Sequence, residues 1–273
     1  MLHLKSAYVA ANGTKLNYYR TGSGDQPLVL VHGITDDGLC WGSVAEALSG
    51  RFDIVMVDLR GHGKSEAPEG GYTLENLARE LAGCIAELGL EKPVLLGHSL
   101  GGITSLVLAG LFPDLPRAIL MEDAPPLWRH PSSISTIESQ KALAGWIHAI
   151  KRKTKEELIE EAQTKNWTGA DREFWVDAKQ RVSIRVIDLI SPPDIPTLDF
   201  PHLLSRIQCP ALFIQTDLER GAASGAEDVA KLKALLPSLE AAYIPNASHS
   251  IRRTQFAPYL EAVERFLADL GIN

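Results

Sequence analysis

Val94-Leu95-Leu96-Gly97-His98-Ser99-Leu100-Gly101-Gly102 is the stretch on which the reading of this chain turns. An apolar run of strand character meets a Gly-x-Ser-x-Gly turn, and the apolar, helix-permissive segment Ile103 to Leu111 follows. In a sharp strand-to-helix turn the central residue takes strained backbone geometry, which holds its side chain above the sheet edge. Gly97 and Gly101 let strand and helix approach without a Cβ clash. The new helix brings unpaired N–H groups and positive dipole density to its first turn. Ser99 is therefore a candidate nucleophile, and the Leu100 N–H a candidate donor to a developing oxyanion. Taken alone, the pentapeptide also fits a glycine-rich turn with an exposed serine.

Working outward, short apolar runs alternate with helix-period segments. Ala7 to Arg20 reads as two strands broken at Asn12-Gly13, a hairpin signal. Leu28 to Val31, Asp53 to Val57 and Ala118 to Met121 read as buried strands. Trp41 to Leu48 reads as a helix. So does Thr73 to Leu88, with Thr73 as N-cap and Leu74, Leu77, Leu81, Ile85 and Leu88 on one face. This alternation predicts βαβ units, a parallel sheet and helices on both its faces. Chemistry is then expected at the carboxyl ends of the strands, where His32-Gly33-Ile34, Ser99 and Glu122-Asp123 fall. Gly63-Lys64-Ser65 is not a phosphate loop, because Asp58 occupies the position where that motif needs glycine. It reads as a structural loop.

From Leu127 to about Ile207 the pattern changes. Ser135 to Lys151, Lys155 to Lys165 and Asp171 to Ile190 read as helices, and no segment reads convincingly as a strand. The stretch holds four of the five tryptophans, Trp128, Trp146, Trp167 and Trp175. They are candidates either to line an apolar pocket or to pack this segment on the rest. A proline-rich return, residues 191–201, leads to Ala211 to Gln215, the strand that resumes the core. Helix Ala226 to Leu236, strand Ala241 to Ile244 and helix Gln255 to Leu270 complete it.

Composition limits the function classes. A net charge of −7 argues against nucleic acid as a partner, since phosphate binding needs clustered Lys and Arg. No apolar run approaches the ~20 residues that span a bilayer. Met1 to Lys5 lacks the basic and apolar segments of a signal peptide. Three widely spaced cysteines, Cys40, Cys84 and Cys209, fit free thiols in a reducing cytosol. A cytoplasmic protein, monomer or homodimer, is expected. No zinc-spaced cluster of His, Cys and Asp and no Gly-x-Gly-x-x-Gly after a strand stands out, so neither metal nor cofactor is expected.

Four motifs in order carry a specific resemblance: Val31-His32-Gly33, Asp58 to Ser65, Gly97 to Gly102, and Ala247-Ser248-His249. The chain resembles the α/β-hydrolase superfamily, of esterase and lactonase type with a helical cap, over nearly its whole length. The resemblance implies an α/β core formed by residues 1–126 and 208–273, with a cap formed by residues 127–207. It also implies the triad order serine, acid, histidine. Ser99 would attack, and His249, in a late strand-to-helix loop, would take its proton. Glu219 matches the acid by position. This chain departs from the family there, with Thr216 for Gly and Glu219 for Asp, and Asp123 and Asp217 remain alternatives. The second oxyanion N–H would be that of Ile34. His32, directly after a buried strand, reads as structural. The expected substrate is a small-molecule ester or lactone. Carbon–carbon bond hydrolases and cofactor-free haloperoxidases share the serine, and a non-catalytic ligand receptor shares the fold. Dehalogenases and epoxide hydrolases of the same superfamily carry aspartate at the elbow, and Ser99 argues against both.

Overall fold

The computed structural model describes residues 4–127, 137–165, 167–190 and 198–272. Strands β1 (Lys5–Ala11) and β2 (Thr14–Arg20) pair as a hairpin in which Ala11 faces Thr14. Both turn residues, Asn12 and Gly13, have positive φ, which the Asn-Gly pair tolerates. The strands that follow are β3 (Gln26–Val31), β4 (Phe52–Val57), β5 (Val94–His98), β6 (Ala118–Glu122), β7 (Ala211–Gln215) and β8 (Leu239–Tyr243). They make one sheet in the order β1-β2-β4-β3-β5-β6-β7-β8, parallel from β4 through β8.

The central strands are mostly apolar because both faces are covered. Val29, Val31, Leu95, Ile119, Met121 and Phe213 face one apolar cluster, with α2 (Leu74–Glu87), α3 (Leu100–Leu111) and α8 (Ala226–Leu235). Leu28, Leu30, Leu96, Leu120 and Ile214 face the other, with α1 (Gly42–Leu48) and α10 (Phe256–Asp269). The period of two along each strand thus assigns neighbours to opposite layers. Helix α3 is buried from Leu100 to Gly110, which explains why its sequence is apolar all round. Thr73 caps α2 by accepting from the Asn76 N–H. The three cysteines are buried and unpaired.

Between β6 and β7 the chain forms α4 (Ile137–Arg152), α5 (Lys155–Gln163), α6 (Gly169–Arg181) and α7 (Phe200–Ser205), with no strand among the described residues. This helical insertion has an apolar cluster of its own, made of Ile150, Leu158, Ala162, Trp175 and Val176. The single helix expected over Asp171 to Ile190 is instead two pieces. Helix α6 stops at Arg181, Val182 is extended, and a 3₁₀ turn runs from Ile184 to Leu189. The break has a local cause. The Ser183 N–H donates 2.7 Å to the Gly61 carbonyl of the core, and its hydroxyl accepts from the Arg185 N–H to start the new turn.

Candidate active site

Ser99 sits between β5 and α3 with φ 49° and ψ −112°. Non-glycine residues avoid this region, and the conformation persists because its surroundings hold it. The Ser99 N–H donates 2.9 Å to the Glu122 carbonyl on β6, and the Ile103 N–H closes the first helical turn 3.1 Å from the Ser99 carbonyl. The two glycines are required by space. A Cβ on Gly97 would lie 2.3 Å from the Gly101 backbone, and one on Gly101 would lie 2.0 Å from the Val31 carbonyl oxygen.

The loop after β3 lies beside the serine, since a Cβ on Gly33 would come within 3.4 Å of the Ser99 Cβ. Gly33 to Asp36 is a turn closed by the Asp36 N–H on the Gly33 carbonyl at 3.1 Å. Its third residue, Thr35, has φ 67°. Ile34 precedes it in the loop, and Leu100 opens α3, where helix N–H groups have no intrahelical partner. His32 is wholly buried. Its Nδ1–H donates to the Gly33 carbonyl at 2.8 Å, and its Nε2 accepts from the Leu59 N–H at 3.0 Å. Both nitrogens are thus used in holding β3 to the Asp58 loop. In that loop the Asp58 carboxylate accepts from the Gly38 and Lys64 N–H groups and from Asn17, so it is a structural knot.

On the far side of the elbow, His249 Nδ1–H donates to Asp123 Oδ2 at 2.7 Å. Asp123 follows β6 directly, is fully buried and has φ 42°. The carboxylate on the imidazole is therefore that of Asp123, and the expectation of Glu219 is corrected. Glu219 is exposed on a 3₁₀ turn, Leu218–Arg220. The physical reason lies in the loop after β7, which brings backbone N–H groups where a carboxylate was expected. Ala223 and Ser224 donate to the Asp123 carboxylate at 2.9 and 3.2 Å, while the Ser224 hydroxyl donates to the Ala124 carbonyl. Asp217 is occupied elsewhere, accepting from the Asn246 N–H at 2.8 Å and from the Tyr243 hydroxyl.

Around this pair lies a buried charged network that motif reading missed. Glu122 Oε2 meets Arg252 at 2.8 Å, and its other oxygen accepts from the Arg252 N–H, which anchors α9 (Ile251–Thr254) just after His249. The Arg252 guanidinium also lies 4.1 Å from the Trp41 ring centroid. Asp36 meets Lys179 at 2.8 Å and Arg253 at 3.2 Å. Burial works against its charge, yet Arg253, Lys179 and Arg252 together hold its carboxyl well below the usual range. Asp37 is different: burial and the neighbouring Asp58 push it up to about 7 against the pull of Arg181. His98 lies in the same region, its ring 4.7 Å from that of His249 and tilted 49° to it, with its Nε2 3.1 Å from the His249 carbonyl. A signal for Lys179 is present in the sequence. It shares a helical face with Trp175, Ala178 and Val182, where an apolar residue belongs.

The tryptophans divide by role. Trp175 is inside the insertion's own cluster, and Trp167 packs edge-on against it at 6.2 Å. Trp167 also stacks on Arg253, and Trp146 is 40% exposed. Trp128 lies outside the described residues. The insertion side chains that share a cluster with Ile34 are aliphatic: Ile147, Val182, Val186, Ile187, Leu189 and Ile190, with Tyr72 from the core. Among the described residues no group of three or more His, Cys, Asp or Glu is arranged to hold a metal ion, and no helix is long and apolar enough to cross a membrane.

Comparison with known proteins gives a consistent picture. The pattern of the alpha/beta hydrolase fold family matches residues 26–251. The chain is 28% identical over 267 residues to the N-formylmaleamate deformylase of Pseudomonas putida, covering 95% of each chain. It is 39% identical over 125 residues to the 2-(acetamidomethylene)succinate hydrolase of Mesorhizobium japonicum, covering 45% of this chain and 44% of that one. A crystal structure of E-2-(acetamidomethylene)succinate hydrolase superposes with a TM-score of 0.80 at 25% identity, over 97% of this chain and all of the other.

Proposed function

Because the chain belongs to the alpha/beta hydrolase fold family and is a hydrolase of that fold, we propose that it acts by acyl transfer through Ser99. Ser99 Oγ attacks a substrate carbonyl while His249 takes its proton. Asp123 holds the imidazole tautomer and offsets its transient charge. The N–H groups of Ile34 and Leu100 receive the oxyanion. As the tetrahedral intermediate collapses, the bond to the leaving group breaks and His249 returns the proton to that group. Water, deprotonated by His249, then adds to the acyl carbon and releases the carboxylic acid and Ser99. The observation that carries this reading is the 2.7 Å His249–Asp123 hydrogen bond formed beside a serine in strained elbow geometry.

The substrate class we infer is a small carboxylic ester or N-acyl compound, reached beneath the helical insertion acting as a cap. The aliphatic cluster around Ile34 supports an apolar approach to the carbonyl. The two relatives extend the ester expectation to nitrogen, because their named substrates carry an N-formyl or an acetamido group. The deciding assay measures hydrolysis of p-nitrophenyl esters of increasing acyl length, and of N-formyl and N-acetyl amides, by wild type and Ser99→Ala. Turnover lost in the variant supports acyl transfer, and the preferred series names the class. Turnover that survives Ser99→Ala overturns the reading, and saturable ligand binding without turnover favours a receptor.

A further inference from the structure

The loop that follows β3 contains an anomaly. Thr35 is β-branched and fully buried, yet its φ of 67° lies in the left-handed region. It is the third residue of the Gly33–Asp36 turn, a position that in this geometry normally takes glycine. Such a conformation is strained and lasts only when neighbours over-determine it. One such neighbour comes from the helical insertion. Lys179 on α6 is 2% exposed, and its Nζ donates to the Thr35 carbonyl at 3.1 Å and to Asp36 Oδ1 at 2.8 Å. The rings of Trp175 and Trp146 flank the ammonium at 5.0 and 5.9 Å, which fixes its direction.

We propose that Lys179 is a positioning residue of the oxyanion site: by clamping the Thr35 carbonyl and Asp36 from the insertion side, it keeps the strained turn in the form that aims the Ile34 N–H at the carbonyl attacked by Ser99. The inference rests on the acyl-transfer reading above. Without the clamp, Thr35 relaxes towards negative φ, the adjoining peptides rotate, and the Ile34 N–H leaves its line. A displacement of about 1 Å in such a donor is enough to cost about a hundredfold in rate. The oxyanion site is then complete only when the insertion is seated.

Arg181 supplies the control. It lies on the same helix and ties insertion to core through Asp37 at 3.0 Å, with its other ion pair to Asp177 on its own helix, whereas the Thr35 carbonyl accepts from Lys179. Asp36 keeps Arg252 and Arg253 when Lys179 is removed, which limits the folding penalty. The test compares Lys179→Met with Arg181→Met in p-nitrophenyl acetate hydrolysis and in the rate of Ser99 modification by a fluorophosphonate, whose phosphonyl oxygen uses the same donors. The expected result for Lys179→Met is a loss of about tenfold to a hundredfold in kcat and in modification rate, with KM within about threefold. Arg181→Met keeps kcat within about threefold. If Lys179→Met does not fold, Lys179→Gln is held to the same criteria. Undiminished kcat and modification in the Lys179 variant overturn the inference alone, as does an equal kcat loss in Arg181→Met. A wild-type protein that the fluorophosphonate does not modify at Ser99 overturns the acyl-transfer reading and this inference with it.

Discussion

Asp123 and Glu219 illustrate what a single residue's surroundings decide. Both are carboxylates at strand ends, but only Asp123 is fully buried, bonded to His249 and supplied with two backbone N–H donors. Asp123→Asn is expected to lower kcat by about 10³- to 10⁴-fold, and Glu219→Gln to leave it within about twofold, both measured by steady-state turnover. Gly101→Ala tests the elbow itself. Its Cβ would stand 2.0 Å from the Val31 carbonyl oxygen, so a loss above about 4 kcal/mol in urea unfolding, or failure to fold, is expected. The elbow is legible in the sequence because strand, glycines, serine and helix are contiguous. The acid is not, because the path of the loop after β7 decides whether Glu219 or two N–H groups meet the site. The hydrogen-bond pattern between residues 100 positions apart has no local signature.

At the scale of elements, period two and period 3.6 recover the core strands and helices, since the central strands are mostly apolar on both sides and α2 carries one apolar face. Periodicity fails at Val182, where α6 ends because a core carbonyl, that of Gly61, captures the next N–H. The same tertiary demand puts Lys179 on an apolar face. The insertion's elements cohere through Trp175, which is 5% exposed in their shared cluster. Trp175→Ala is expected to cost about 3–5 kcal/mol locally, with faster amide exchange in α5 and α6 than in the sheet. Equal loss of protection in β5 and β6 would mean that insertion and core unfold as one unit.

For the whole molecule, acid stability is governed by histidines buried without charge. Burial lowers His32, His98 and His62, the last to about 3. The native state therefore binds fewer protons than the unfolded chain below the ordinary imidazole range, and these groups lose stability as pH falls from about 6.5. Asp37, raised to about 7, acts the other way. Its native form keeps a proton that the unfolded chain sheds, so it gains stability as pH falls from about 7 towards 4. Three histidines outweigh one aspartate. Unfolding at pH 5 should take up protons, and His62→Gln should remove about one of them, as read from the slope of Tm against pH. An unchanged slope in His62→Gln would show that this imidazole is not neutral in the native protein.

The burial of every cysteine has a practical side. Burial raises Cys40 and Cys84 to about 12 and Cys209 to about 11, so the thiolates that maleimides and disulfide reagents require are scarce in the folded chain. The native protein is thus expected to stay unlabelled by thiol dyes until it opens. A cysteine introduced at an exposed site on α5, such as Glu160, becomes a single address for a fluorophore, and a second on the core gives a ruler across the two. The natural thiols then serve as a clock, because each becomes reactive only when the layer that covers it opens.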